Sequence, residues 1–344
     1  MPSRRRFLAT VGATAAAVGL AGCSASVGEP PAERWLYDPG TALGQPFPWQ
    51  AYLSVDVPAA WERREQLPEE WVATATSFDR GVSSVDLADL RRVTALGFGT
   101  EGLTTMGTTV AFTGDIEPRP VVREFTRGSV TEYDPVADHR LFGYAPGFLA
   151  RIQREDVTAR GTLGLAVGED RAVAGGLLAP EGEAVDAVAA MVRAGAAGES
   201  DTVTGADPDL RAVGRALNAS PLEPPPVSGG VAFDEGLAER LAGAIPEEWP
   251  TLAATVDDLQ AVGVGLRFAE NATLTSFVFV YDPRSIAEDE NLQAAVRKLT
   301  SESGSPDSGV VGVRLGPGGR SVVVRTTVSP QAVWTDFRDR LPGL

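Results

Sequence analysis

The sequence predicts an α+β protein made of two copies of one unit, each built on an antiparallel sheet. Three observations predict it. Short β-rich runs meet at glycine-punctuated hairpins, amphipathic helical stretches interrupt those runs, and a collinear series of matches links the two halves of the 344-residue chain.

The clearest match sets Leu67-Pro68-Glu69-Glu70-Trp71 against Ile245-Pro246-Glu247-Glu248-Trp249. Upstream and without a gap, Ala51–Asp56 falls on Gly229–Asp234, and Ala60 falls on Ala238. Downstream, Asp89–Val93 falls on Asp258–Val262, Gly161–Gly168 on Gly309–Gly316, and Pro180 on Pro330. One short identity is unremarkable in a chain of this length. The order of the matches never inverts, however, so they read as an internal duplication of roughly residues 48 to 196 and 228 to 344.

Within a copy the pattern is strand, helix, two strands, helix, two strands, helix. Asp234 reads as an N-cap ahead of Leu237, Leu241 and Ile245, whose four-residue spacing puts them on one helical face. Val310–Leu315 and Arg320–Val328 are β-rich runs joined by Gly316-Pro317-Gly318-Gly319, a hairpin signal; Gly168-Glu169-Asp170 makes the same turn in copy one. Ser329 and Pro330 open a last helix with Val333, Phe337 and Leu341 on its buried side. The first six elements, βαββαβ, have the order of a ferredoxin-like split βαβ. The expectation is therefore two ferredoxin-like βαββαβ(βα) domains in tandem.

The first domain is expected over residues 48–217, with an insertion at 128–160 and a trailing helix. Asp207-Pro208, followed by Leu210, Val213 and Leu217, forms that helix and is expected to pack on the first domain. A proline-rich linker at 218–227 leads to the second domain, 228–344. Residues 23–47, rich in Pro, Gly and Ala with little periodicity, read as a tether.

Residues 1–22 read as a targeting segment. Arg4, Arg5 and Arg6 run directly into Ala9–Ala21, which is apolar but too short to span a bilayer, where about 20 residues are needed. Ser3-Arg4-Arg5-Arg6-Phe7-Leu8 resembles a twin-arginine export signal, and Leu20-Ala21-Gly22-Cys23 resembles a lipobox. The resemblance implies export of a folded chain, lipidation of Cys23 as the mature N-terminus, and residence at the cell membrane on its extracellular side. Membrane lipid is then a partner through Cys23. Cys23 is the only cysteine, so neither an intramolecular disulfide nor a cysteine metal cluster is available.

The formal net charge is −16, and removal of Arg4, Arg5 and Arg6 makes the mature chain three charges more negative. Such a surface repels phosphate backbones, which excludes nucleic acid as a partner. Lys298 is the only lysine. This acidic, lysine-poor composition resembles that of proteins from halophilic archaea, in which surface carboxylates stay hydrated in concentrated salt. Pairs such as Asp257-Asp258 and Glu69-Glu70 therefore need no catalytic explanation.

Few motifs in the sequence carry chemistry. Gly97-Phe98-Gly99-Thr100-Glu101-Gly102 has the G-x-G-x-x-G spacing, but Thr104–Phe112 reads as a strand where a dinucleotide site needs a helix N-terminus. The motif is a hairpin on this reading. His139 is the only histidine, which excludes any site built on two imidazoles. Trp71 and Trp249 recur at equivalent positions and read as core. The insertion carries Tyr133, His139, Phe142, Tyr144 and Phe148, a candidate binding surface whose plainer reading is an extra β-hairpin covering the sheet. Asn218 and Asn271 open N-x-[ST] sequons, candidate glycosylation sites if exported.

The expected function is a lipid-anchored, non-enzymatic surface protein that needs no cofactor and binds or scaffolds a cell-surface protein or a small solute. A solute-binding lipoprotein of an importer is the alternative, and an extracytoplasmic enzyme is the third reading. Against the importer reading, the strands pair as hairpins instead of alternating with helices.

Overall fold

The β-rich runs form strands in the computed structural model, which describes residues 32–67, 69, 72–73, 75–77, 84–100, 104–126, 130–144, 152–154, 157–197, 207–219, 224–233, 259–269, 272–282, 293–294, 297 and 310–328. The chain divides into two units, one of Met1–Glu62 with Glu69–Asp207, the other of Arg63–Pro68 with Pro208–Leu344. Both are mixed α+β, with antiparallel sheets and few helices.

In the first unit the elements are α1 (Pro39–Leu43), β1 (Trp49–Asp56), α2 (Val57–Glu62), β2 (Leu90–Gly99), β3 (Met106–Gly114), α3 (Pro118–Phe125), β4 (Thr131–Val136), β5 (His139–Tyr144), β6 (Ile152–Arg154), β7 (Val157–Val167), β8 (Arg171–Ala179) and α4 (Ala184–Ala196). The sheet order is β1-β2-β3-β8-β7-β5-β4, with β6 also pairing with β7.

This order corrects the ferredoxin-like expectation. A split βαβ keeps its first two strands parallel, with another strand between them. Here β1 and β2 pair directly and antiparallel, from Trp49 opposite Gly99 to Asp56 opposite Arg92. Residues 57–89 thus leave and re-enter the sheet at the same end, and no crossover is needed. An element order of βαββαβ is compatible with either pairing, which is why it misled.

Across the sheet lies α4, against β3, β5, β7 and β8. Glycines let it come close. A methyl group at Gly164 would sit 3.0 Å from the Ala184 carbonyl oxygen, and one at Gly175 would sit 2.8 Å from Val188 Cγ2. Glu183, the N-cap residue, makes no side-chain capping bond. Thr162 of β7 supplies one instead, its Oγ1 accepting from the Ala184 amide at 2.8 Å.

Part of the stretch expected to form a tether, residues 35–37 with Pro39, is core, a second correction. Trp35, Leu36 and Tyr37 are 1%, 1% and 4% exposed. Trp35 packs its ring over Gly195 of α4, where a side chain would collide with it. Tyr37 meets Phe98 edge-on at 6.5 Å and accepts a hydrogen bond from Thr109 Oγ1 at 3.3 Å. Asp38 then caps α1, accepting from the Gly40 amide at 2.8 Å. Aromatic burial overrides the loop-like composition around it.

In the second unit the elements are α5 (Pro208–Asn218), β9 (Val227–Phe233), β10 (Leu259–Phe268), β11 (Thr273–Tyr281), β12 (Val310–Leu315) and β13 (Ser321–Val328). The order is β9-β10-β11-β13-β12, all antiparallel. It repeats the path β1-β2-β3-β8-β7 of the first unit.

The trailing helix, α5, belongs to this second unit rather than to the first domain. Its apolar stripe of Leu210, Val213 and Leu217 lies against β9, β10, β11 and β13, with Val213 over Gly263 and Leu217 over Gly265. Polar ties hold both ends of the helix to the β12–β13 hairpin. Asp209 pairs with Arg320, and Arg314 Nη2 donates to the Ala216 carbonyl, one of the C-terminal acceptors a helix leaves open. Asn218 closes α5, so the proline-rich connection begins one residue later than expected. The segment Arg64–Gln66 also joins this unit, with Gln66 Nε2 donating to the Ala269 carbonyl at 2.8 Å. The expected helices after Asp234 and Ser329, and both Trp71 and Trp249, lie outside the described residues. No helix among the described residues is long and apolar enough to cross a membrane.

Candidate functional site

The insertion adds β4 and β5 to the open edge of β7, so its aromatic residues are distributed by strand alternation. Side chains in β5 point alternately to the two sheet faces, Arg140, Phe142 and Tyr144 to one, His139, Leu141 and Gly143 to the other. The second face is the α4 side, since a methyl at Gly143 would sit 2.9 Å from Val185 Cγ1. Tyr133, paired with Leu141, lies on that side too, its ring 2.7 Å from the same point.

The four candidate residues that the structure describes therefore do not share one face. Phe142 is buried on one face, with Arg140 stacked over its ring at 5.0 Å; Tyr144, on the same face, is half-buried. His139 is buried on the other face, and Tyr133 is half-buried there. Phe148 lies outside the described residues, as do Arg4, Arg5, Cys23 and Asn271. Asn218 is half-buried in the last turn of α5.

Tyr133 is fixed by an acceptor that sequence reasoning missed. Its hydroxyl donates to Glu183 Oε2 at 2.8 Å, and Arg160 approaches Glu183 Oε1 at 3.9 Å. The bond to the Glu183 carboxylate, aided by burial, holds the phenol above its ordinary pKa. Glu183 was identifiable only as the residue before a helix. Its link to Tyr133, fifty positions away, depends on the insertion folding back over α4.

His139 follows the β4–β5 turn, where Ala137 adopts a left-handed φ of 51°. The ring packs on Gly168 at the β7–β8 turn; a methyl there would sit 2.9 Å from Nε2. Nδ1 lies 2.7 Å from Asp138 Oδ1. Burial lowers the imidazole pKa, and Asp138 only partly opposes it. The folded state thus favours neutral His139, so its contribution is intact above the unfolded value of about 6.5 and declines as pH falls below it. The melting temperature of the parent should drop more steeply below that pH than the melting temperature of His139→Gln. Parallel profiles for the two proteins would refute this assignment.

The described part of the G-x-G-x-x-G segment, Gly97 to Thr100, ends the first arm of the antiparallel β2–β3 pair, and Glu101 and Gly102 lie outside the described residues. The Thr100 amide donates to the Thr105 carbonyl at 2.9 Å, the Thr105 amide donates to Thr100 Oγ1 at 3.0 Å, and β3 follows at Met106. Gly97 and Gly99 face an indole. A methyl at Gly99 would sit 2.6 Å from the Trp49 ring, so the spacing serves packing between β1 and β2.

No family model and no curated protein matches the chain. Among solved structures it is similar to TP0453 in crystal form III, with 10% identity, a TM-score of 0.43, and coverage of 92% of this chain and 100% of that one. Crystal forms I and IV of TP0453 give TM-scores of 0.40 and 0.39, again at 10% identity; they cover 88% and 89% of this chain, and 98% and 99% of theirs.

Proposed function

We propose that the protein is exported by the twin-arginine route, anchored by lipid at Cys23, and acts outside the membrane as a non-enzymatic binding or scaffolding module. Its ligand class is a cell-surface protein or a small solute. The observation that carries the reading is the order Ser3–Leu8, apolar stretch, Leu20–Cys23, with Cys23 the only thiol in the chain. Burial of Trp35 bears on its geometry. The nine steps from Cys23 to Ala32 reach at most roughly 30 Å fully extended, which keeps the first unit next to the bilayer.

The two units are on this proposal copies of one ancestral unit, and four details support it. Strand order is the same. Matched residues Leu90 and Leu259 begin β2 and β10, and the register shift between Leu90 and Arg92 recurs between Leu259 and Ala261. The Gly114 amide donates to the Asp170 carbonyl at 3.1 Å as the Tyr281 amide does to Arg320 at 3.0 Å. Gly168 and Gly316 close equivalent hairpins at 2.8 Å, bonding to Arg171 and Ser321.

Replacing Arg4 and Arg5 by lysine should leave precursor in the cytoplasm, whereas Cys23→Ser should be exported and released from the membrane fraction. Membrane retention of the Cys23→Ser protein would reject the anchor.

A further inference from the structure

The two units treat equivalent strand edges differently. On the repeat correspondence, β12 is the counterpart of β7, with Leu163, Leu165 and Val167 matching Val311, Val313 and Leu315. In the first unit β5 pairs along β7, setting Tyr144, Phe142 and Arg140 opposite those three residues. Leu165 and Val167 are accordingly only 5% and 3% exposed. In the second unit, among the described residues, β12 pairs with β13 alone, and Val311 and Leu315 are 55% and 50% exposed. These are large values for apolar side chains in a strand.

Composition sharpens the contrast. The outermost strand of the first unit, β4, carries Glu132, Asp134 and Pro135, residues that block addition of a further strand. β12 reads Val-Val-Gly-Val-Arg-Leu, with no proline and no carboxylate in a strongly acidic chain. Its single charge, Arg314, is turned toward the Ala216 carbonyl of α5. The pairing with β13 shifts register between Val310 and Gly312 and is regular from Gly312 to Leu315, the stretch on which the two-fold pairing is centred.

We infer that β12 is an interaction edge whose partner is β12 of a second copy of this chain, paired antiparallel about a two-fold axis at Val313. That axis sets Val311 opposite Leu315 and Gly312 opposite Arg314, so apolar side chains meet and the two arginines do not. The apolar ladder continues inward to Val322 and Val324, which pair with Leu315 and Val313. A contact of one short strand falls below the roughly 1,200 Å² of a standard stable interface, so the dimer is weak and concentration-dependent. Confinement to a membrane surface would favour it. The inference rests on the repeat correspondence and not on the lipid.

The test uses the mature chain carrying Cys23→Ser, at molar salt, where the Debye length is about 3 Å and acidic copies do not repel at range. Sedimentation should show a monomer–dimer equilibrium that Val311→Asp with Leu315→Asp abolishes, while circular dichroism and the melting temperature stay those of the parent. In the same background Val313→Cys should oxidise to a covalent dimer at least ten times faster than Thr327→Cys, an exposed position on β13. A chain that remains monomeric, a dimer that survives both aspartates, or equal oxidation of the two thiols would each overturn the inference. None of these outcomes depends on whether Cys23 is lipidated.

Discussion

Replacing Trp35 by alanine should destabilise the first unit by about 3–5 kcal/mol, the usual cost of emptying a buried indole site. The ring is 1% exposed and is seated over Gly195, and the neighbouring Leu36 and Tyr37 are buried too. The remaining side chains cannot close such a space without moving α4, so the high end of that range is expected. Hydrogen exchange should accelerate in β3, β7, β8 and α4. A Trp35→Ala protein with parental stability would mean that the chain ahead of β1 is a tether after all.

Leu210→Ala should cost the second unit about 2–5 kcal/mol and leave the first unit unaffected. Leu210 is 1% exposed, in the stripe that also buries Val213 over Gly263 and Leu217 over Gly265. Amide protection should fall in β9, β10, β11 and β13, the strands α5 covers, and hold in β2, β3 and β8. Loss of protection in the first unit instead would return α5 to the position that its place in the sequence suggested.

The α+β class and the strand positions were legible because β-rich runs and glycine turns are local signals. Val310–Leu315 was read at its observed bounds, and Gly168-Glu169-Asp170 turned as expected. Strand pairing was not legible, since an antiparallel return and a split βαβ share one element order. The fate of residues 32–47 and of α5 was hidden for a different reason. Composition describes the average of a segment, whereas Trp35 and Tyr37 are held by particular partners, Gly195 and Thr109, far along the chain.

The candidate surface failed to converge because strand alternation sends Tyr133 and Tyr144 to opposite faces, which a count of aromatics cannot reveal. Likewise His139 stood out as the lone imidazole, but its burial against Gly168 requires two hairpin turns to meet. What remained invisible was the edge of β12, unpaired among the described residues, which acquires meaning only beside its occupied counterpart, β7.

Intact-mass and peptide mass spectrometry of protein extracted from native membranes reads the proposed lipid anchor at Cys23 itself. The N-terminal peptide should begin at Cys23 and carry a lipid mass on the sulfur. A membrane-extracted or secreted chain that retains Met1–Gly22, or that begins elsewhere with an unmodified Cys23, would contradict it.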